Sequence, residues 1–585
     1  MISCFKHSFP VIKSDDTHSS TTESEMKPTV NGLINRSFVF QTFVLQGSTP
    51  CIPCQSVYWD VNTTENPNLS QLNHLPPGIS EALENMPDFN DWIPVKTTRT
   101  FVGLMIIACL HIIVFTLMKK FTYWRRHGVV QINPLFWQNF SRKEEPIALV
   151  YEAHYKALSD VPFGGFYENG KPVLLVRDPA LIQKMLNTYF SHFPDRRAFL
   201  NTEKDSCSSH LLNLTGERWR KIRKKIVPVF RTPSKLTDLK VKIKTGIEAF
   251  ELYLNRSCEG KDSLEVDFHD LMARLTTHII GLAAASIPTD ALKDGESSFR
   301  NIQELLCVPN WRMYWRDLFR HVCPPLNDVF NLKGHDKRID QFFIQLVAQE
   351  EEERRTGGLG KDDFLQNLFD LKTADPSVSE TLVVANFFFL FTAGFSTIAI
   401  TLTYALYEAV NNIEIWTKLR REVDSMQQDE EIDCQKLTYT TAVIQETLRK
   451  YSVFPSLQRQ CSQDFEIPGT SVVIKKGVDV IIPIHAIHRD RIHWSDPDLF
   501  KPERFLEGQP KPGTYLPFGD GLRMCPGYKY AFLELQMIMT YLIKNYDIVP
   551  CEKTPIPQKL RFLARGVLLH PESGIFMRMK RRREI

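Results

Sequence analysis

The 585-residue chain has no repeat of fixed period and no glycine-rich phosphate loop, which excludes repeat solenoids and nucleotide-cradling enzymes of the P-loop kind. Neither sign of charge dominates. A formal net charge of +3 is too close to balance for a protein that holds nucleic acid by its phosphates. The twelve cysteines share no spacing, so neither a disulfide framework nor a zinc finger is indicated. Cys51 and Cys54 form a lone C-x-x-C without the second pair that structural zinc needs. What the composition does supply is apolar material, 43% of the residues, enough for one large domain or two medium ones.

Long charge-free runs are scarce, and one stands out. Residues 101–118, FVGLMIIACLHIIVFTLM, hold no charge and only His111 is strongly polar. At ~1.5 Å per residue they extend roughly 27 Å, the reach of a transmembrane helix. A buried core helix is the competing reading, although core helices seldom lack a charged face over such a length. Lys119, Lys120, Arg125 and Arg126 follow the run, whereas Lys96 and Arg99 before it are preceded by Glu81, Glu84, Asp88 and Asp91. Positive flanks stay cytoplasmic, so the large C-terminal part is expected in the cytosol and residues 1–95 across the membrane. Those residues read as a polar, disordered extension, with the low-complexity stretch SDDTHSSTTESE and glycosylation-type triplets at Asn35, Asn62 and Asn68. At the other end, residues 578–585 with Lys580, Arg581, Arg582 and Arg583 read as a solvated basic tail.

Between these ends the periodicity is mostly helical. Residues 179–190, 216–230 and 439–452 carry apolar residues at spacings of three and four. Residues 171–178 and 471–485 are β-branched runs, the second broken at Lys475-Lys476-Gly477 in the manner of a short hairpin. The expected class is mainly α with a minor β sheet.

The stretch PFGDGLRMCPGYKYA, residues 517–531, sets Cys525 among three glycines and an arginine. A thiolate binds soft metals and stays deprotonated where amide N–H groups and a helix N-terminus point at it. Gly519, Gly521 and Gly527 allow a tight loop of unusual φ angles against a flat ligand, and Pro526 suits the first turn of a following helix. One thiolate fits an iron already held on four sides by porphyrin; a buried loop cysteine is the plainer alternative. The arrangement Phe518-x-x-Gly521-x-Arg523-x-Cys525-x-Gly527 resembles the cysteine loop of the cytochrome P450 family at every fixed position, and the resemblance covers residues 130–577.

Three further motifs stand upstream in the family's order. Glu446-x-x-Arg449 places two side chains on one helix face, and with Arg504 of Pro502-Glu503-Arg504-Phe505 the resemblance implies a buried charge network. Trp219 and Arg223 look like the family's W-x-x-x-R helix, whose indole and guanidinium reach a haem propionate; by the same resemblance Arg459 and Arg523 complete that clamp. Ala393-Gly394-Phe395-Ser396-Thr397 is similar to the oxygen-binding motif, in which a small residue and a glycine make room above the iron and the Thr397 hydroxyl helps deliver protons. Many members carry an acid where this chain has Ser396, a departure that leaves water and a hydroxyl to substitute in the proton relay.

The resemblance implies a cytochrome P450 fold with an N-terminal membrane anchor and haem b (iron protoporphyrin IX) held axially by Cys525. It further implies a monooxygenase that places one atom of molecular oxygen into a lipophilic small molecule. Electrons would come from NADPH through NADPH-cytochrome P450 reductase, at the endoplasmic reticulum membrane with the catalytic part cytosolic, against membrane lipids and without nucleic acid. The phrases DPALIQKML, HFPDRRAF and IHWSDPDLFKPERF look most like microsomal animal enzymes, especially the insect detoxification group and its vertebrate drug-metabolising relatives. If Ala393 and Thr397 face the iron, helical spacing brings Asn386, Phe389 and Leu390 to the same side, an apolar wall with one amide. Arg218, Arg220, Lys221, Lys224 and Lys225 crowd around Trp219 and Arg223, where an acidic flavoprotein would dock. Two other readings stay open. One is a haem-thiolate isomerase or dehydratase acting on a peroxide without NADPH, favoured by Ser396 and opposed by Thr397. The other is a non-catalytic haem or lipid carrier.

Overall fold

Residues 95–132, 145–168, 170–196, 206–293, 295–307, 336–357, 361–426, 432–564 and 567–582 are described by the computed structural model. The chain divides into two units, Met1–Thr98 and Arg99–Ile585, and the first lies almost wholly outside the described residues. The expected extension, its Asn35, Asn62 and Asn68 triplets and the Cys51–Cys54 pair therefore lie outside them too.

Helix α1, Val95–Phe121, contains the charge-free run, and side chains along it such as Leu104, Ile106, Ile112, Phe115 and Met118 are exposed. Its continuous apolar stretch of described side chains is Val102–Ile112. Trp124, just beyond it, is buried against Gly165 and donates from Nε1 to the Phe166 carbonyl at 2.9 Å, which ties this end of the chain to the first sheet.

That sheet contains β1, Phe163–Glu168, and β2, Lys171–Val176, paired antiparallel. Helix α2, Pro179–Leu186, follows; Asp178 caps it by accepting the Leu181 amide at 2.7 Å, and proline fills the first turn. Helix α3, Gly216–Ile226, buries Trp219, Ile222 and Ile226, turns Arg223 inward and leaves Arg218, Arg220, Lys221, Lys224 and Lys225 outside. Helix α4, Pro233–Ser257, precedes β3, Leu264–Asp267, and helix α5, Phe268–Ala285.

Helix α6, Glu380–Val410, is the core of the molecule. Among the described residues it alone is long and apolar enough to cross a membrane by length and composition, yet most of it is buried by protein, with Phe389, Leu390, Ala393 and Thr397 half-buried. Phenylalanines 387, 388, 391 and 395 pack in a chain with Phe343 and Phe299. Helix α7, Thr438–Lys450, then leads to β4, Leu457–Gln460, β5, Phe465–Glu466, β6, Val473–Ile474, and β7, Asp479–Ile482. Helix α8, Tyr528–Asn545, and strands β8, Tyr546–Pro550, and β9, Phe576–Arg581, follow. The sheets run β1-β2-β7-β4, β3-β9-β8 and β5-β6. The mainly α class with minor β holds.

Two expectations are corrected. The turn at Lys475–Gly477 exists, with Gly477 at φ 86°, but its flanks do not pair with each other: β6 joins β5, whereas β7 joins β2 and β4. The runs face different partners, so the turn switches sheets. The basic tail is not solvated chain either. Lys580 and Arg581 belong to β9, the middle strand of its sheet, and Lys580, Arg581 and Arg582 pair with Asp262, Glu251 and Asp424.

Candidate active site

The Cys525 loop is built by backbone constraints. Gly519 and Gly521 sit at φ 71° and 70°, and a Cβ on Gly521 would meet the Leu186 carbonyl oxygen at 2.0 Å, so only glycine fits between the loop and the end of α2. Asp520 accepts the Gly521 amide at 2.7 Å and the Asn187 side-chain amide at 2.9 Å. The Cys525 amide closes the loop on the Phe518 carbonyl at 2.9 Å, and Phe518 packs on Phe532 of α8. Gly527 differs from its sequence reading. It adopts an ordinary φ of −92° as the residue before α8, and Pro526 lies ahead of the helix rather than in its first turn. Burial pushes the Cys525 thiol up, against the pull of a hydrogen bond from the Gly527 amide and the positive field of Arg196, Arg223 and Arg231.

Beside the cysteine, four guanidinium groups converge. Arg523 donates to the Pro194 carbonyl at 2.6 Å, the Leu214 carbonyl at 2.7 Å and Asp195 at 3.0 Å, and lies 4.2 Å from the centre of the Trp219 ring. Arg223 of α3 donates to the Met524 carbonyl at 2.7 Å, and Arg196 to the Arg523 carbonyl at 3.1 Å. Arg459 in β4 is buried, donates to the Gln458 carbonyl at 2.9 Å, and has no partner for its Nε among the described residues. Burial and repulsion by neighbouring arginines, Arg231 in the case of Arg223, push Arg196 and Arg223 down to about 10, Arg523 to about 9, and Arg459 well below the usual arginine range. Asp195 is the carboxylate that answers them. Trp219, Arg223, Arg459 and Arg523 thus meet as expected. Arg196 was not singled out from the sequence, because a lone arginine after proline and aspartate carries no periodic signal.

Arg196, Trp219, Arg223 and Arg523 line a cleft with Met524, Pro526 and, on the opposite wall, Phe389 of α6. Phe389 stacks on His210 with ring centres 4.5 Å apart and planes 3° from parallel. On the same helix, Thr397 donates from Oγ1 to the Ala393 carbonyl at 2.7 Å, and Ser396 meets His570 at 3.4 Å. Gly394 is accounted for by packing: a Cβ there would meet the Ile280 side chain of α5 at 2.5 Å, so it makes room for a helix and not for a ligand. Asn386 does not offer a free amide to the cleft. It is buried, accepting the Leu211 amide at 3.0 Å and donating to the Leu382 carbonyl at 2.8 Å. Leu390 is half-buried on the core.

Behind the loop, Glu446 and Arg449 of α7 are fully buried and paired at 2.7 Å, and Arg504 joins Glu446 at 3.1 Å. Arg449 also holds the His488 and Pro497 carbonyls, so the expected network braces the chain before the cysteine loop.

A flat dianion with a soft metal at its centre fits these residues. The unpartnered Arg459 Nε and the repelling guanidiniums need anionic oxygens, the glycine turn brings backbone close, and Cys525 carries its sulfur between Met524 and Pro526, which line the cleft. Fold and site together define a haem-thiolate protein. The chain belongs to the cytochrome P450 family, whose sequence model matches residues 131–578. It is 29% identical to cytochrome P450 6a2 of Drosophila melanogaster, over 82% of this chain and 99% of the relative. Identity is 30% to cytochrome P450 6a8 of the same fly, over 81% and 97%, and 28% to cytochrome P450 6k1 of Blattella germanica, over 81% and 96%. These insect relatives agree with the resemblance to the insect detoxification group, and the family makes the chain a haem-thiolate monooxygenase.

Proposed function

We propose that this monooxygenase is anchored in the endoplasmic reticulum membrane by α1, draws NADPH-derived electrons from a reductase, and oxidises lipophilic small molecules. The cluster of Arg196, Arg223, Arg459 and Arg523 beside Cys525 carries this reading, because a bound dianion would relieve their repulsion and partner the open Arg459 Nε. Haem, when bound, supplies the activation of dioxygen. The chain's own residues do the rest. Cys525 would hold the iron through its sulfur, as a thiolate favoured by the Gly527 amide and the surrounding positive charge. The arginines and Trp219 would hold the propionates. Phe389 and Leu390 exclude water and favour an uncharged substrate, since a charged one loses its solvation with no partner. Thr397 holds a proton at Oγ1 against the Ala393 carbonyl. Arg218, Arg220, Lys221, Lys224 and Lys225 are exposed on α3, on the helix that reaches the cysteine loop through Arg223, and present a positive face to a redox partner. Exposed apolar side chains along α1, followed by the basic residues after it, support the anchor.

The reduced, carbon monoxide-bound protein is expected to show the long-wavelength band of thiolate coordination. Cys525→Ala should abolish it, while Cys461→Ala should keep it, since the Cys461 thiol is buried on the Gln463 carbonyl and pushed up to about 11. Steady NADPH consumption with reductase and a lipophilic ligand separates this function from an isomerase; its absence overturns the proposal.

A further inference from the structure

Position 396 holds a serine where an acid would serve proton delivery, but the fold brings other titratable groups to it. Ser396 Oγ lies 3.4 Å from Nε2 of His570, and Nδ1 of His570 lies 3.2 Å from Nε2 of His269. The three residues come from α6, from the segment before β9 and from the first turn of α5. We propose that Ser396, His570 and His269 form a proton route from solvent to the haem-facing part of α6, in place of the missing acid. The inference rests on the NADPH-driven reaction proposed above.

Each member is held in place. Tyr404 of α6 donates to the Leu569 carbonyl at 3.0 Å, Leu569 donates to the Val453 carbonyl at 3.0 Å, and Leu563 donates to the His570 carbonyl at 2.9 Å. His570 is therefore pinned on both sides. His269 is fixed where Asp267 accepts its amide at 2.9 Å, and its ring stands at 81° to that of His570 with centres 5.3 Å apart. Ser396 is buried, whereas His570 and His269 are half-buried. Phe389, which lines the cleft, precedes Ser396 by seven residues, nearly two helical turns, so both stand on one face of α6. Thr397 is its immediate neighbour.

The charge state suits the task. Burial, then His269, pushes His570 down to about 4; burial also pushes His269 down, against the pull of Asp267 and Asp270. Asp270 is itself engaged by Arg274 and Arg300, both at 2.9 Å. Near neutral pH both rings are uncharged, so each has one N–H to give and one bare nitrogen to receive. At each hop one N–H or O–H bond breaks and one forms. Ser396 gives its hydroxyl proton inward and takes one from His570 Nε2, His570 takes one at Nδ1 from His269 Nε2, and His269 is reprotonated at Nδ1 from solvent. No electron moves, and the cycle closes when each ring loses its Nδ1 proton to water and takes one back at Nε2, which restores the donor there.

The test uses the full chain loaded with haem, together with reductase. His570→Gln and His269→Gln should keep the carbon monoxide band and the melting temperature yet lower product formed per NADPH by about tenfold, at or below the usual contribution of general acid–base groups, with the lost electrons appearing as hydrogen peroxide. Independently of turnover, Ser396→Ala should shift the ring 15N resonances of His570 in the reduced carbon monoxide complex. Variants as well coupled as the parent, or a His570 signal indifferent to Ser396→Ala, overturn the route and leave the three side chains as packing. A parent protein that consumes no NADPH overturns the proposed function instead.

Discussion

At the scale of single residues, Arg459 is the most exposed to test. Its charge is buried among three like charges, so in the cofactor-free protein Arg459→Leu should stabilise the fold, on the order of 1–4 kcal/mol by analogy with removal of other buried ions. In the loaded protein it should speed loss of haem to an acceptor. Opposite signs in the two forms, read by denaturant unfolding and by haem transfer, are the expected result. Glu534 of α8 gives a second residue-scale prediction. It is fully buried, and burial pushes its carboxyl up to about 8 despite a pull from Tyr530. A raised carboxyl is neutral in the fold, so its contribution is intact below about 4.5 and is lost as pH rises toward about 8. Glu534→Gln should therefore gain stability over the parent at about pH 8 and show little difference at about pH 5, measured as the shift in denaturation midpoint. Which residues matter was partly legible. Arg223, Arg523 and Arg459 stood in motifs, whereas Asn386 was misassigned because helical spacing gives a face but not its partner, here the Leu211 amide.

At the scale of elements, the amphipathic pattern of α3 was readable because its buried and exposed faces alternate at the helical period. Exchanging Lys221 and Lys224 for glutamate should slow reduction of the iron by a reductase at low salt, lose that effect as salt screens the encounter, and leave peroxide-driven turnover unchanged. Stopped-flow reduction at two ionic strengths checks it, and equal loss in both assays would mean a damaged fold. The sheet was less legible than the helices. The Lys475–Gly477 turn looked like a hairpin because two β-branched runs flank it, but strand partners are set by distant segments, and β7 inserts between β2 and β4. Local pattern carries no trace of that choice.

At the scale of the molecule, α6 alone among the described residues is long and apolar enough to span a membrane, yet it is largely covered by protein, whereas many described apolar side chains of the shorter run in α1 are exposed. Removing residues 1–121 should move the protein from the membrane fraction to the soluble one with its carbon monoxide band intact, as followed by sedimentation and spectroscopy. The family resemblance made the domain and cleft legible, while the role of residues after 577 was not, since a run of basic residues looks like solvated chain until its acidic partners are known.

The place of β9 between β3 and β8 has a consequence for synthesis. Ile575 donates its amide to Asp267 across 308 residues of chain, and β9 is the strand that pairs with β3. At ribosomal speeds of about 5–20 residues per second, β3 waits roughly 15–60 s for that partner. Over that interval the nascent chain depends on chaperones, or on early docking of α5, to keep an open strand from finding one on another polypeptide.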